Sequence, residues 1–281
     1  MPFSSSKRAS LVTCGGMAAL LAFAAGGLAQ NPSAGRGRAP RGRPQDTEVW
    51  EPVPPVVTPG AVDAAPPSDA IVLFDGKNLD EWVNTRDKSP ANWTVRDGAM
   101  TVYKGRGAGN IETKRKFRNY QLHLEWKIPA NVTGTDQARG NSGVFLASTG
   151  GGDSGYELQI LDSYQNKTYV NGQAGSIYKQ GSPLANPARQ PGEWQTYDVI
   201  WMAPVFRADG SLQTPAYATV FFNGVLVHHR QEILGTMVHR QLARYTPHDT
   251  EEPLSLQDHG HEVRYRNVWI RRLRGYDQPE R

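Results

Sequence analysis

The segment Leu254–Leu273, LSLQDHGHEVRYRNVWIRRL, sets Gln257, Asp258, His259, His261, Arg264, Arg266 and Asn267 into a stretch otherwise built like a buried strand. An amide, a carboxylate and an imidazole in succession are costly to bury without partners, so they mark either a solvated turn or a working site. His259 is of the one side-chain type whose ordinary titration falls near neutrality, which suits proton transfer. Asp258 beside it would orient and polarise the imidazole, although neighbours in a strand point to opposite faces. A second grouping lies in Tyr156–Leu161, where Tyr156, Leu158 and Ile160 share one face and Glu157 and Gln159 the other. Glu157 offers an acid, a base or a metal ligand; Gln159 and Asn141 offer amides that hold hydroxyls. Taken alone, this is also the pattern of a sheet's polar outer face.

Gly175–Lys179 adds a phenol, Tyr178, and an ammonium, Lys179, after a Gly-rich turn. The plain alternative is an edge tyrosine and a solvated lysine. Pro191-Gly192-Glu193-Trp194 is a turn presenting Trp194, whose flat apolar ring suits either a core or a sugar platform. His228, His229 and His248 are isolated, and no His/Asp/Glu spacing forms a metal signature. No Gly-rich phosphate loop or serine nucleophile elbow is present.

The elements that would position these residues are strands. Ile71–Phe74 ends at Asp75-Gly76, and Trp93–Val95 runs to Asp97-Gly98 before Ala99–Tyr103. Tyr120, Leu122, Leu124, Trp126 and Ile128 alternate with Gln121, His123, Glu125 and Lys127, as in a half-buried antiparallel strand. Val144–Leu146, Tyr156–Leu161 and Tyr197–Trp201 have the same character. Thr219–Phe222 and Val225–His229 flank Asn223-Gly224, a strong hairpin signal. In Val263–Ile270 the apolar parity changes at Arg266-Asn267, which predicts either a β-bulge or an unbulged strand with Trp269 turned inward. No long helical periodicity occurs between residues 70 and 281, so the fold class is all-β, a sandwich or barrel.

Lys7-Arg8, an apolar run from Leu11 to Ala25 and the small residues Gly27–Ala29 predict an export signal over 1–29. A membrane anchor is the alternative, but the run falls short of the roughly 20 residues that span a bilayer. Cys14 is the single cysteine, so the mature chain has no disulfide and depends on core burial. Residues 30–69, rich in Pro, Gly, Ala and Arg, form an extended arm, with a strap around Val49–Glu51; the folded domain occupies 70–281. The formal charge of +4 belongs to the leading segment: residues 1–45 hold six of the 31 basic side chains and no acid, leaving 25 basic against 27 acidic residues. Nothing argues for a nucleic-acid partner, or for a stable membrane span once the signal is cleaved.

LFDGKNLDEW, NWTVRDGAM, GNSGVFL, YELQILD, GSIYKQ, PGEWQTYDVI, FFNGVLV and LQDHGHEVRYRNVWI follow in the order and spacing of the 3-keto-disaccharide hydrolase domain family, which the chain resembles over about residues 70–274. The resemblance implies a jelly-roll β-sandwich of two antiparallel sheets, like the concanavalin A-like lectins and glucanases, with a carbohydrate groove. It also implies cleavage of glycosides already oxidised to a ketone at carbon 3. Two departures bear on substrate identity: GNSGVFL continues Ala147-Ser148 where the family usually has Arg, and Lys179 stands where Gly is common.

A ketone at carbon 3 acidifies the hydrogen on carbon 2, so one base, one acid and a group to stabilise the enolate suffice. The paired carboxylates of ordinary glycosidases are not required. On this resemblance His259 or Glu157 is the base and the other the acid or a metal ligand. Tyr178, Lys179 or a divalent cation stabilises the enolate, and Asn141, Gln159, Gln257 and Arg266 hold hydroxyls with Trp194 as platform. The expected location is periplasmic or extracellular, with a sugar 3-dehydrogenase as functional partner. The rival reading is a non-catalytic carbohydrate-binding module of a larger surface assembly.

Overall fold

The computed structural model describes residues 42–102, 109–237 and 241–275. The expected export signal over 1–29 and residues 30–41 of the arm lie outside them. The chain divides into two compact units, 1–51 and 52–281. In the first, a short 3₁₀ turn at Pro44–Thr47 is closed by an Arg43–Asp46 ion pair at 3.0 Å. Val49 and Trp50 there are exposed, Trp50 by 79 %.

The second unit is built from strands. In chain order they begin with β1 (Ile71–Phe74), β2 (Trp82–Asn84), β3 (Thr94–Arg96), β4 (Ala99–Thr101) and β5 (Ile111–Thr113). Then come β6 (Tyr120–Lys127), β7 (Ser142–Ser148), β8 (Gly155–Ile160), β9 (Gln195–Met202) and β10 (Val205–Phe206). The last are β11 (Leu212–Thr214), β12 (Ala216–Phe222), β13 (Val225–Ile233), β14 (Ser255–Leu256) and β15 (Arg264–Arg272). An eight-stranded antiparallel sheet runs β13-β12-β9-β6-β15-β4-β3, with β1 also paired to β15. A five-stranded sheet runs β2-β5-β14-β7-β8, and β10-β11 form a small ribbon. This is the all-β jelly-roll sandwich that the sequence predicts. Asn223 and Gly224, at φ 50° and 78°, make the β12–β13 hairpin turn, which needs positive φ at both positions.

The alternating residues of β6 and β8 meet in one core with Val144 and Leu146 of β7. Tyr156 of β8 packs on Trp201 of β9 at 5.2 Å between ring centroids. Each large side chain so buried contributes roughly 1.5–3 kcal/mol. Three tyrosines of the large sheet also cross the core to bond the small one. Tyr197 donates to the Gln159 carbonyl at 2.7 Å, Tyr265 lies 2.6 Å from the Ser142 hydroxyl, and Tyr120 donates to the Leu146 carbonyl. These bonds pin β7 and β8 from beneath, and those strands carry Glu157 and Gln159 on their opposite face.

The parity change in β15 is a bulge: the register with β6 shifts between Arg266 and Trp269, and Asn267 takes φ 47°. Val268 and Ile270 therefore both enter the core, while Trp269 turns outward onto His123. A strap over this face comes from residues 64–69. The Ala64 carbonyl accepts from Asn267 at 2.7 Å and Trp269 at 3.1 Å, and Asp69 pairs with Arg271 at 2.5 Å. Among the described residues no helix is long and apolar enough to cross a membrane.

Candidate active site

The outer face of the five-stranded sheet is polar because its strands alternate. Register aligns Glu157 of β8 with Phe145 of β7, Ser255 of β14 and Glu112 of β5. It also aligns Gln159 with Gly143, and Gln257 continues this row by donating its backbone N–H to the Gly143 carbonyl at 2.9 Å. Loops cover much of this face, so the Glu157 side chain lies buried, with the residue only 2 % exposed. Its Oε2 has no hydrogen-bond partner in the protein. The Gln159 amide is assigned with its nitrogen toward Glu157, the orientation in which it donates to Oε1 at 3.0 Å and to the Ser142 carbonyl at 3.2 Å. Asn141 donates to the Gln137 carbonyl at 2.9 Å beside them. Burial, reinforced by the charge of Asp153, pushes the Glu157 carboxyl well above the usual carboxylate range.

Tyr178 runs along the free edge of β8, donating its N–H to the Glu157 carbonyl at 3.0 Å. Its hydroxyl lies 2.7 Å from that of Tyr169, and the Lys179 ammonium sits 3.5 Å from the centre of the Tyr169 ring. Burial raises both phenols above their ordinary range, so they stay protonated and able to donate. Lys179 holds φ 63°, a left-handed conformation that costs a non-glycine residue and accounts for the suitability of Gly there.

His259 stands at the exposed rim of the turn after β14, its ring stacked with that of His261 at 6.0 Å. Protein packed around the ring lowers its pKa below 6.5, and His261 adds to this, while Asp153 and Asp258 oppose it. Asp258 does not bond the His259 ring. Its carboxylate accepts from the N–H groups of Gly109 at 3.1 Å and Gly260 at 2.9 Å, so it shapes the turn and acts on the imidazole only through its charge. Gln257 donates to Asp153 at 3.0 Å, while its Oε1 is buried without a partner in the protein.

Two expected members stand elsewhere. Arg266 and Trp194 do meet, with the guanidinium 4.1 Å from the ring centre, but on the outer face of the eight-stranded sheet. There Arg266 pairs with Glu125 at 2.6 Å, in a cluster that joins Glu125 to Asn267 and His123 to Asp198 at 2.7 Å. The core of the sandwich separates this cluster from Glu157, so neither residue joins the Glu157 site. Conversely, Gln137, Asp153, Tyr169 and Asn110 belong to the site although no sequence motif points to them directly. The run Gly150-Gly151-Gly152 before Asp153 is the one local signal.

Among the described residues there is no group of three or more His, Cys, Asp or Glu side chains that could hold a metal ion. On the same face as Glu157, a basin of about 470 Å³ is lined by Lys88, Glu112, Lys114, Lys116, Ser148 and Glu252. Lys88 pairs there with the buried Glu112 at 2.5 Å.

A pinned sheet with amides, phenols and a buried carboxyl on one face and an imidazole at the rim is the site of a β-sandwich protein whose relatives are carbohydrate-active. The profile of the 3-keto-alpha-glucoside-1,2-lyase-like domain matches residues 69–271, and the chain belongs to that family. It is 24 % identical to a 3-keto-disaccharide hydrolase of Bacteroides thetaiotaomicron, over 72 % of this chain and 78 % of that protein. A crystal structure from Parabacteroides distasonis, of a protein assigned provisionally as a glycosyl hydrolase, is 47 % identical. It covers 82 % of this chain and 97 % of its own, with a TM-score of 0.76. A second such structure from that organism, at 21 % identity and TM-score 0.53, covers 73 % of this chain and 94 % of its own, and shares the fold.

Proposed function

We propose that this protein cleaves glycosides whose sugar carries a ketone at carbon 3, by proton abstraction at carbon 2, elimination and hydration. The observation that carries the reading is a buried Glu157 carboxyl with an unpartnered Oε2, and Asp153 within electrostatic reach of both it and the His259 imidazole at the rim. Glu157 is raised and His259 lowered from their ordinary values. These directions favour Glu157 as the proton donor and His259 as the acceptor, roles that the residue types alone leave interchangeable.

His259 takes the hydrogen from carbon 2, and the negative charge develops on the carbon-3 oxygen. The Tyr169–Tyr178 pair, whose mutual bond uses one hydroxyl hydrogen, donates the other to that oxygen, and the Lys179 ammonium adds positive charge nearby. Collapse of the enolate restores the ketone, places the double bond between carbons 1 and 2, and breaks the bond from carbon 1 to the leaving oxygen. Glu157 protonates that oxygen as it departs. Water then adds its hydroxide to carbon 1 and its proton to Glu157, while His259 returns its proton to carbon 2, so the net reaction is hydrolysis. Gln159, Asn141 and Gln257 hold the hydroxyls, and Asp258 keeps the His259 turn in shape.

The order of basic, apolar and small residues over 1–29 supports export to the periplasm or beyond, with that segment removed. The substrate's ketone requires a prior oxidation of a glycoside at carbon 3, the reaction class of a sugar 3-dehydrogenase.

The test is incubation of the mature protein with a 3-keto glucoside carrying a chromogenic leaving group, beside the unoxidised glucoside. Release from the keto compound alone, slowed by deuterium at carbon 2, is the expected result. Equal release from the unoxidised glucoside would sink the elimination route, and binding without release would make the chain a sugar-recognition domain.

A further inference from the structure

The loop Thr149–Ser154 joins β7 to β8 and reads Thr-Gly-Gly-Gly-Asp-Ser. Its base is closed by the Thr149 N–H on the Ser154 carbonyl at 3.2 Å and by their hydroxyls at 3.0 Å. Gly152 takes φ 87°, a left-handed conformation that glycine adopts without strain. The three glycines carry no side chain, so Asp153 is the functional group that the loop delivers. It delivers it to a defined place. Asp153 Oδ1 accepts from Asn110 Nδ2 at 2.9 Å and from Gln257 Nε2 at 3.0 Å.

Those two amides come from different parts of the chain, Asn110 just before β5 and Gln257 just after β14. They anchor the hairpin loop against the outer face of the sheet beside the Glu157 site. Asp153 nevertheless stays exposed, and its second carboxylate oxygen has no hydrogen-bond or ion-pair partner among the described residues. Two donors on one oxygen hold the carboxylate against rotation and leave the other free as a fixed acceptor. A structural carboxylate needs only the first half of this arrangement. The charge also lies within electrostatic reach of both Glu157 and His259, which places it at the reacting end of the site.

We infer that Asp153 is a specificity-determining substrate contact, whose free carboxylate oxygen accepts a hydrogen bond from the carbon-4 or carbon-6 hydroxyl of the oxidised sugar. The inference rests on the reading of this site as a 3-keto-glycoside site and names one of its recognition groups. A hydroxyl held by a fixed carboxylate is worth more than one held by a neutral amide, and loss of either partner removes the same interaction.

The experiment compares chromogenic 3-keto glucosides bearing all remaining hydroxyls with their 4-deoxy and 6-deoxy analogues, on wild type, Asp153→Ala and Asp153→Asn. Wild type is expected to disfavour one deoxy compound by roughly ten- to a hundredfold in kcat/KM, mostly through KM. Asp153→Ala should lower the full substrate by that factor more than it lowers the analogue, so that the two converge, with Asp153→Asn in between. Thermal melting of each variant checks that the fold is kept. A uniform loss on all three compounds, or no loss on any, overturns the inference. If wild type releases nothing from any of them, the cleavage reaction is refuted separately, and the same comparison is made on their binding by calorimetry. There, lost discrimination in Asp153→Ala supports the contact and unchanged discrimination overturns it.

Discussion

Gly143 of β7 faces the Glu157 carboxyl of β8 so closely that a β-carbon built on it would stand 2.6 Å from Oε1. The glycine takes no left-handed conformation, so its backbone would accept alanine. What it provides is room. Gly143→Ala should push the carboxyl off its position while the strands stay paired. We expect kcat to fall at least about tenfold, with a stability change of about 1–2 kcal/mol or less. Turnover and thermal melting of the variant check this, and full activity would show that the carboxyl's position is immaterial.

Glu157→Gln separates the residue's chemistry from its cost. The folded state raises the carboxyl's pKa above the ordinary 4.5, so the folded state holds the proton more tightly than the unfolded chain. The associated stability is present in full below pH 4.5 and is lost as pH rises toward the folded pKa. A glutamine does not titrate. The variant should therefore lose turnover yet gain stability relative to wild type as pH climbs above 4.5. Paired melting curves across that range read the difference directly, and a constant offset would mean that the carboxyl is not held protonated.

The alternation in Tyr120–Ile128 and Tyr156–Leu161 makes the two faces of each strand legible in the amino-acid order alone. It does not say which sheet a strand joins. Glu157 and Arg266 both occupy outer faces, and an outer face reads the same in sequence on either side of the sandwich. Sequence therefore groups Arg266 and Trp194 with a site from which the core divides them. Asp258 next to His259 suggests a pair, but a turn aspartate is claimed by the N–H two residues on, here Gly260. The approach of Asn110, Asp153 and Gln257 depends on loops that bring residues 43 and 104 positions apart into bonding distance, and no local pattern encodes that. Tyr169 is hidden in the sequence for the same reason, since only the folded 169–179 loop lays it against Tyr178 and Lys179.

His123 offers a control away from the site. It stacks on Trp269 and lies between Asp198 and Glu125, and despite its burial these carboxylates raise its pKa to about 9. The imidazolium stability is present in full below pH 6.5 and is lost as pH rises through about 9. His123→Gln should cost roughly 1–3 kcal/mol at pH 6, with the deficit shrinking by pH 9. Glu125, lowered to about 2, behaves oppositely, and its contribution is lost only as pH falls below 4.5. Because this cluster lies across the core from Glu157, kcat of the variant should match wild type at pH 6. Urea titrations at both pH values and one rate measurement test all of this, and a large drop in kcat would show that the two faces are coupled.

His259 decides the shape of the activity profile. As the base it must be neutral, and its lowered pKa puts the acidic limb of kcat/KM below pH 6.5, where the imidazole gains a proton. Glu157 as the acid must be protonated, so the alkaline limb comes from its ionisation, above 4.5 by virtue of burial. The profile is then a bell in which the histidine sets the rise and the carboxyl the fall. His259→Ala should reduce kcat/KM by roughly 10²–10⁴-fold and remove the acidic limb. The ring is exposed at the rim, so added imidazole can reach the gap and should restore part of the rate, with the acidic limb returning at the pKa of the added base. Restoration that ignores the pKa of the added base would assign His259 to positioning. An unchanged acidic limb in His259→Ala would move the base to another residue.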